Sequence, residues 1–249
     1  MEEEMKKVLL MGALLGVTSL VCVAGNAVAS PVSVFQTNGW MQFADDEGIA
    51  PGRGGQAYDT EYFYYKTDLV NNTLSIGLQT GFNLVTGVGS NADIFGGNLA
   101  LSFDNDDSNY EYAFDYGYWT GFVSSATGTS PGSYSDFAGE GLYSVNSWNT
   151  NTSHDAPLPL NISSGSLLQN ITSATGQESD SYWRTITFDM NLITGDNTAV
   201  DSVTAFWTMS CGNDHIKGHA PVPEPATMLL FGTGLAGLAG FSRKKRKKA

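Results

Sequence analysis

The chain has few charged residues and few cysteines for its length. Of its 249 residues, 15% are charged and two are cysteines, whereas charged residues average about 25% in soluble proteins. Two cysteines exclude a disulfide-stapled scaffold and a fold built on a multi-cysteine zinc or iron–sulfur site. Acidic residues outnumber basic ones by 25 to 12. This balance argues against nucleic-acid binding, which needs a surface rich in Lys and Arg.

The sequence also lacks the short motifs of common hydrolases and nucleotide-binding enzymes. No Gly-x-Ser-x-Gly, His-Glu-x-x-His or phosphate-loop pattern occurs, and these patterns mark serine hydrolases, zinc proteases and NTPases. A glycosidase needs two carboxylates about 5 to 10 Å apart, a distance that sequence alone does not provide. We therefore expect a non-enzymatic protein, and we keep a secreted glycosidase as a less favoured alternative.

The N-terminal end resembles a secretory signal peptide. Two lysines precede an apolar run from residue 8 to 23, and Ala27 and Ala29 supply small residues at the −3 and −1 positions of a cut after Ala29. This order is typical of a signal peptide. Translation begins at Met1 or at Met5, and the second start would remove three acidic residues. The alternative is a retained membrane helix, which the cleavage site disfavours.

The C-terminal end has three parts in order. Pro223, Glu224 and Pro225 come first, and an uncharged, glycine-rich apolar run then extends to residue 242. As a helix over 226–242 this run has 17 residues, the lower limit of the roughly 17 to 25 that cross a bilayer. We expect a weak membrane anchor, followed by six basic residues that stop transfer and stay cytoplasmic. These residues are Arg243, Lys244, Lys245, Arg246, Lys247 and Lys248.

This arrangement resembles the PEP-CTERM sorting signal of Gram-negative bacteria, over Val222 to Ala249. In that family the signal is read by exosortase, an integral-membrane transpeptidase similar to cysteine proteases. The resemblance implies export, a transient inner-membrane intermediate, processing near Pro223-Glu224-Pro225 and delivery to the cell surface or the extracellular matrix. It implies exosortase and the export machinery as partners, and an association with exopolysaccharide.

The region between the two ends is strongly acidic. Residues 30–220 contain four basic and 21 acidic residues, which leaves a net charge of −17. Such a field repels anionic polymers and attracts divalent cations or basic partners. The simplest explanation is solubility outside the cell.

The remaining cysteine lies shortly before the C-terminal signal. Cys211 would be the only cysteine of the mature protein, and an odd cysteine in an exported chain suggests intermolecular pairing or a free thiol. The stretch Cys211 to Gly218 resembles a short motif that precedes the sorting signal in many PEP-CTERM proteins. Its spacing of Cys211, His215 and His219 is also compatible with zinc. A buried cysteine at a strand end is the favoured interpretation.

Strand patterns dominate the middle of the chain. Apolar and polar residues alternate with a period of two, which indicates half-buried strands, and no amphipathic helix is evident. The segments are 61–67, 74–82, 97–103, 110–118, 142–148, 182–190 and 203–209. They predict an all-β fold, a single antiparallel β-sandwich or jelly roll. The predicted organisation is a signal peptide at 1–29, an acidic sandwich at 30–220 with a polar insertion at 149–177, and a sorting signal at 221–249.

Part of this pattern resembles exported sandwich domains that are similar to carbohydrate-binding modules, over 62–65, 74–81 and 97–103. A calcium-dependent carbohydrate-binding module is therefore the main alternative function. Asp104, Asp106 and Asp107 supply hard oxygen ligands of the kind calcium takes, although an Asp-rich turn is the simpler explanation. An aromatic set offers a sugar-stacking platform, but packing across the sheet is favoured. This set is Tyr110, Tyr112, Tyr116, Tyr118, Trp119, Trp148 and Trp183.

Overall fold

Most of the described chain is β-strand. The computed structural model describes residues 29–37, 39–46, 55–87, 94–104, 109–116, 120–122, 133–135, 139–149, 159–194, 200, 202–212, 214–222 and 233–234. Between the strands lie a 3₁₀ turn at Gln56–Tyr58 and a single α-helical turn, α1, at Asn191–Thr194. The strands are β1 (Met41–Asp45), β2 (Thr60–Asp68), β3 (Thr73–Thr80), β4 (Leu99–Ser102), β5 (Tyr112–Asp115), β6 (Thr120–Phe122), β7 (Ser133–Ser135), β8 (Gly141–Asn149), β9 (Asn161–Gln169), β10 (Ala174–Glu178), β11 (Ser181–Asp189), β12 (Ser202–Thr208) and β13 (His215–Pro221).

The strands form two large antiparallel sheets and one small sheet. The five-stranded sheet has the order β1-β2-β3-β11-β10, and the six-stranded sheet has the order β13-β12-β4-β5-β8-β9. β6 and β7 form the two-stranded sheet. The chain passes between the large sheets three times, from β3 to β4, from β9 to β10 and from β11 to β12. The prediction of an all-β antiparallel sandwich is confirmed.

The seven strand segments predicted from alternation each overlap an observed strand. β3 illustrates the cause. Leu74, Ile76 and Leu78 are at most 1% exposed, whereas Ser75 on the opposite face forms a hydroxyl–hydroxyl hydrogen bond of 2.8 Å with Thr187. Successive side chains of a strand point to opposite faces, so an alternating sequence buries one face and leaves the other polar.

The main hydrophobic core lies between the two large sheets. Trp207 of β12 is fully buried and donates its indole N–H to the carbonyl of Gly97 at 3.0 Å. Burial of one large apolar side chain contributes about 1.5–3 kcal/mol, so this cluster supplies most of the stabilisation of the sandwich. Its largest members include Phe63, Leu74, Ile76, Leu78, Ile186 and Phe188 from one sheet and Leu99, Leu101, Phe114, Val203 and Trp207 from the other.

The outer face of the six-stranded sheet is buried as well, which the alternating patterns did not predict. β12 is buried at every position, and two further apolar clusters cover this side of the sheet. Trp148 of β8 contributes to both clusters, and its indole N–H donates to the carbonyl of Tyr110 at 2.9 Å. The β8–β9 pair contains three register shifts. Such irregularities locally bend and twist a strand.

The predicted polar insertion at 149–177 contains two strands of the sandwich. β9 is an edge strand of the six-stranded sheet, and β10 is an edge strand of the five-stranded sheet. Four of the five residues of β10 are exposed, so this strand needs no apolar alternation. The edge strand β1 also escaped prediction. The stretch 161–178 is therefore part of the sheets, and its polar composition reflects its position at their edges.

A basic side chain lies in the interior. Arg184 of β11 is 3% exposed, and its guanidinium lies 4.2 Å from the centroid of the Tyr116 ring. It donates to the Tyr116 carbonyl at 3.1 Å, to the Glu140 carboxylate at 3.2 Å and to the Ser173 hydroxyl at 2.6 Å. A buried cation is tolerated only with such partners, and these partners join β11 to three other segments of the chain.

Candidate functional site

The last strand of the sandwich leads directly into the predicted C-terminal signal. β13 pairs with β12 along its whole length, from His215 opposite Thr208 to Pro221 opposite Ser202. Its alternate residues Ile216 and Ala220 are each 2% exposed, and Val222, which follows the strand, is 3% exposed. All three belong to the main core. The packed part of the chain therefore extends at least to Val222, the residue that precedes Pro223.

A tight turn connects β12 to β13. Gly212 has φ of 62°, a left-handed conformation that glycine adopts without strain, and its N–H donates to the Met209 carbonyl at 2.9 Å. Cys211 is 9% exposed and belongs to the main core. This agrees with the favoured interpretation of a buried cysteine at a strand end and leaves little of the thiol accessible to another molecule.

Asp214 connects this hairpin to the opposite sheet. Its Oδ2 accepts hydrogen bonds from the backbone N–H of Thr60 at 2.8 Å and from the Thr60 hydroxyl at 3.0 Å. Thr60 is fully buried at the start of β2. The hairpin of the six-stranded sheet is thus joined to the five-stranded sheet by a charge-assisted hydrogen bond, the stronger kind in proteins.

A second carboxyl group shares the Thr60 hydroxyl. Asp46 Oδ2 lies 2.7 Å from Thr60 Oγ1, and this hydroxyl has only one hydrogen for two carboxyl neighbours. Burial raises the pKa of Asp46; the Thr60 hydrogen bond opposes the rise and the negative charge of Asp214 adds to it. A proton held by Asp46 relieves the repulsion between the two carboxyl groups.

Gly218 allows β13 to approach β1. A Cβ atom at this position would lie 2.7 Å from the Cβ of Ala44 and 2.8 Å from a ring carbon of Phe43. Edge strands from the two large sheets therefore pack directly on one another at this side of the sandwich. Four residues of the stretch Cys211 to Gly218 therefore have a structural role. Gly212 forms the turn, Asp214 bonds to Thr60, Ile216 is buried in the core, and Gly218 allows the contact with β1.

The spacing of Cys211, His215 and His219 does not produce a zinc site. The two histidines lie on the outward side of β13, where the His219 ring nitrogen is 2.9 Å from the Thr204 hydroxyl, and Cys211 lies in the core. Within the described part of the chain, no group of three or more His, Cys, Asp or Glu residues is arranged to hold a metal ion.

The proposed calcium ligands are described only in part. Asp104 accepts a hydrogen bond from the Ser102 hydroxyl at 2.9 Å, and Asp106 and Asp107 lie outside the described residues. Calcium binding at this turn stays a prediction.

Most of the predicted aromatic platform packs within the protein. Tyr110 and Tyr116 are 8% and 6% exposed, Tyr112 contacts the main core, and Trp183 packs beside Phe35. Trp148 covers the outer face of the six-stranded sheet, while Tyr118 and Trp119 lie outside the described residues. Packing, the favoured interpretation, holds for the five described aromatics.

Sequence reasoning missed the contacts of Asp46 and Asp214 with Thr60. Neither Asp46 nor Thr60 stands in a motif, and with 21 acidic residues in 30–220 no single carboxyl group is distinguished by sequence. Asp214 lay within a stretch already noted, but its partner on β2 is 154 positions away. No local pattern carries such a pairing.

The two predicted terminal signals lie largely outside the described residues. Ala27, Pro223 to Pro225 and Arg243 to Lys248 are not among them, and of the predicted membrane span only Thr233 and Gly234 are described, both helical. Among the residues that the structure describes, no helix has the length and apolar character required to cross a membrane.

Comparison with known proteins identifies the C-terminal segment. The family model of the PEP-CTERM protein-sorting motif matches residues 221–245. No curated protein and no solved structure matches the chain. The match begins at Pro221, the last residue of β13, so the motif follows the sandwich without a spacer. The chain thus carries a PEP-CTERM sorting motif, which implies processing by exosortase and export to the cell surface.

Proposed function

We propose that the sandwich crosses the inner membrane behind a signal peptide, is held there briefly by the span at 226–242, and is released by exosortase near Pro223-Glu224-Pro225. The observation that carries this proposal is the sorting motif, which begins at the last residue of β13. The 17-residue span is marginal as an anchor, which suits a transient intermediate. The basic tail keeps its end of the span in the cytoplasm.

The position of the motif limits where the chain is cut. Val222 is buried, and β13 is paired through Pro221. A processing enzyme binds its substrate as an extended, accessible strand, and the prolines of the motif favour extended backbone. Cleavage before Val222 would require β13 to leave the sheet and expose Ile216, Ala220 and Val222. We therefore place the cut at or beyond Pro223, which leaves the sandwich complete.

Replacement of the motif tests the sorting step. The full-length variant Pro223→Ala/Glu224→Ala/Pro225→Ala is expected to accumulate uncut in the inner membrane. Lys217→Ala, on the exposed side of β13 and outside the matched motif, is expected to be processed as wild type. Cell fractionation followed by intact-mass measurement separates the two. If the triple variant reaches the surface or the medium at the wild-type mass, the proposal is wrong.

At the surface, we propose a non-enzymatic role in the envelope matrix in contact with exopolysaccharide. The destination of the sorting motif supports this role. The charge of −17 over residues 30–220 favours neutral or basic polysaccharides, because anionic polymers are repelled. Binding to a glycan panel tests the role directly, and no binding to any neutral or basic glycan would contradict it.

The same panel separates the two alternatives. A calcium-dependent module would lose glycan binding and melt at a lower temperature after chelation, whereas the favoured role predicts no change in either quantity. A glycosidase would release product from a polysaccharide. Among the described residues, Asp46 and Asp214 are two carboxyl groups that share one hydroxyl. Loss of turnover in Asp214→Asn would therefore favour the glycosidase.

A further inference from the structure

The first residues after the predicted signal peptide lie on the outer face of the five-stranded sheet. The side chain of Gln79 binds this segment from both sides: its amide nitrogen donates to the Ser30 carbonyl at 2.9 Å, and its oxygen accepts from the Val32 N–H at 3.0 Å. Ser33 donates to the Glu178 carboxylate through its N–H at 3.0 Å and its hydroxyl at 2.6 Å. These bonds attach the segment to β3 and β10.

Phe35 gives this segment an apolar anchor. Its ring is stacked on Tyr64 with centroids 4.1 Å apart and meets Trp40 edge-on at 5.2 Å. Phe35 is 4% exposed. The site is shaped for the ring, because a Cβ atom at Gly77 would lie 2.3 Å from Phe35 Cε1. The segment therefore occupies a matched site on the sheet and not an arbitrary surface.

The predicted cleavage bond lies at the start of the docked segment. Tyr62 Oη donates a hydrogen bond of 2.7 Å to the carbonyl oxygen of Ala29. Cleavage between Ala29 and Ser30 requires a nucleophile to add to this carbonyl carbon, while the peptidase stabilises the charge that develops on this same oxygen. In the docked chain, Tyr62 holds that oxygen and Gln79 holds the next carbonyl along.

We propose that docking of Ser30–Gln36 on this sheet face masks the Ala29–Ser30 bond, so that signal peptidase must cut before the segment docks. Hydrolysis consumes one water, breaks the C–N bond, and leaves a carboxylate on Ala29 and an ammonium group on Ser30. The cut segment then docks through Gln79, Phe35 and Ser33. A chain that docks first resists the peptidase and stays attached to the membrane by its N-terminal end. This inference rests on the proposed export through a signal peptide.

The test measures the rate at which signal peptidase cleaves the Ala29–Ser30 bond of the folded precursor. Full-length precursor is purified in detergent and incubated with purified bacterial signal peptidase, and intact mass reports loss of the N-terminal segment. Gly77→Val fills the site of the Phe35 ring and is expected to be cut at least tenfold faster than wild type. Tyr62→Phe removes only the hydroxyl and is expected to be cut at an intermediate rate. Equal rates for wild type and Gly77→Val would overturn the proposal.

A matched control separates docking from general loosening of the fold. Leu78 is the next residue on β3, but its side chain points into the core, where it is 1% exposed. Leu78→Ala lowers stability without touching the docked segment, and we expect it to be cut as slowly as wild type at a temperature where it is folded. Acceleration equal to that of Gly77→Val would also refute masking. Phe35→Ala, which removes the anchor and leaves the sheet unchanged, provides the second docking variant.

The masking proposal and the sorting proposal can be refuted independently, because the first is measured at the N-terminal end and the second at the C-terminal end. Exported protein that retains residues before Ser30 in every variant would overturn the masking proposal together with the predicted signal cleavage. The C-terminal mass would still report on sorting at the Pro-Glu-Pro motif. Conversely, a triple motif variant that is cut normally at Ala29 but also released normally would refute the sorting proposal alone.

Discussion

Removal of the Asp214 carboxylate is expected to loosen the hairpin that precedes the sorting motif. Asp214→Ala deletes two hydrogen bonds to Thr60, at 2.8 and 3.0 Å, and leaves the N–H of a fully buried residue without this acceptor. Hydrogen bonds to charged groups contribute about 1.5–3 kcal/mol, and an unsatisfied buried donor costs about 1–3 kcal/mol. The substitution also removes the repulsion between Asp214 and Asp46, which offsets part of this destabilisation. We expect a net loss of about 2 kcal/mol.

Thermal unfolding of the mature sandwich measures this loss. For a domain of 150–250 residues, 1 kcal/mol shifts Tm by about 2–4 °C, so the expected decrease is about 4–8 °C. Asp214→Asn keeps an oxygen that accepts from the Thr60 N–H and should lose less than half as much. A Tm for Asp214→Ala within 1 °C of wild type, or an Asn variant less stable than the Ala variant, would refute the assigned role.

The pH dependence of the same variant provides a second check. Burial and the charge of Asp214 raise the pKa of Asp46, so the folded state holds this proton more tightly than the unfolded state. Wild type therefore gains stability from Asp46 as the pH falls through its raised pKa, and the gain is complete below the ordinary value. In Asp214→Ala the pKa of Asp46 moves back toward its ordinary value, and this gain shrinks.

Two other carboxyl groups act in the opposite direction. Hydrogen bonds from Asn71 lower the pKa of Asp68, and hydrogen bonds from Ser33 lower the pKa of Glu178. Their contributions are present at neutral pH and are lost as the pH falls through the lowered pKa values. Both groups are unchanged in the variant, so their contributions cancel in the difference in stability between variant and wild type. A difference that does not vary with pH would contradict the coupling of Asp46 to Asp214.

Two further substitutions test the packing that holds the last strand and the interior. Gly218→Val places methyl groups against Phe43 and Ala44 and is expected to destabilise the sandwich by about 1–3 kcal/mol in urea unfolding; Lys217→Ala, on the exposed side of the same strand, should change it by less than about 0.5 kcal/mol. Arg184→Met removes the bonds to Tyr116, Glu140 and Ser173. Because Glu140 is 27% exposed and can be hydrated without its partner, the substitution is expected to cost about 1.5–3 kcal/mol, the range for hydrogen bonds to charged groups. Stability equal to wild type would refute a stabilising role for these bonds.

The prediction of the fold succeeded for strands that have one face packed in the core and the other face exposed. Leu74, Ile76 and Leu78 alternate with small or polar residues, and each apolar side chain points into the sandwich. It failed where that condition does not hold. β10 is an exposed edge strand, so a period-two pattern did not locate it. The pattern did locate β12, but this strand is buried on both faces, and the burial of its second face does not follow from a period-two pattern. The extent of β9 depends on a bent hairpin that only distant contacts define.

Sequence alone identified the sorting motif, because exosortase recognises a linear order of proline, glutamate, apolar and basic residues that needs no folded partner. Tertiary structure alone decided what Asp214, Gly77 and Gly218 do. Their partners Thr60, Phe35 and Phe43 lie far away in the chain, and contacts between residues so distant in sequence form only in the folded protein. The same reason explains why the sequence predicted a cleavage site after Ala29 but did not predict that residues 30–36 pack on the five-stranded sheet.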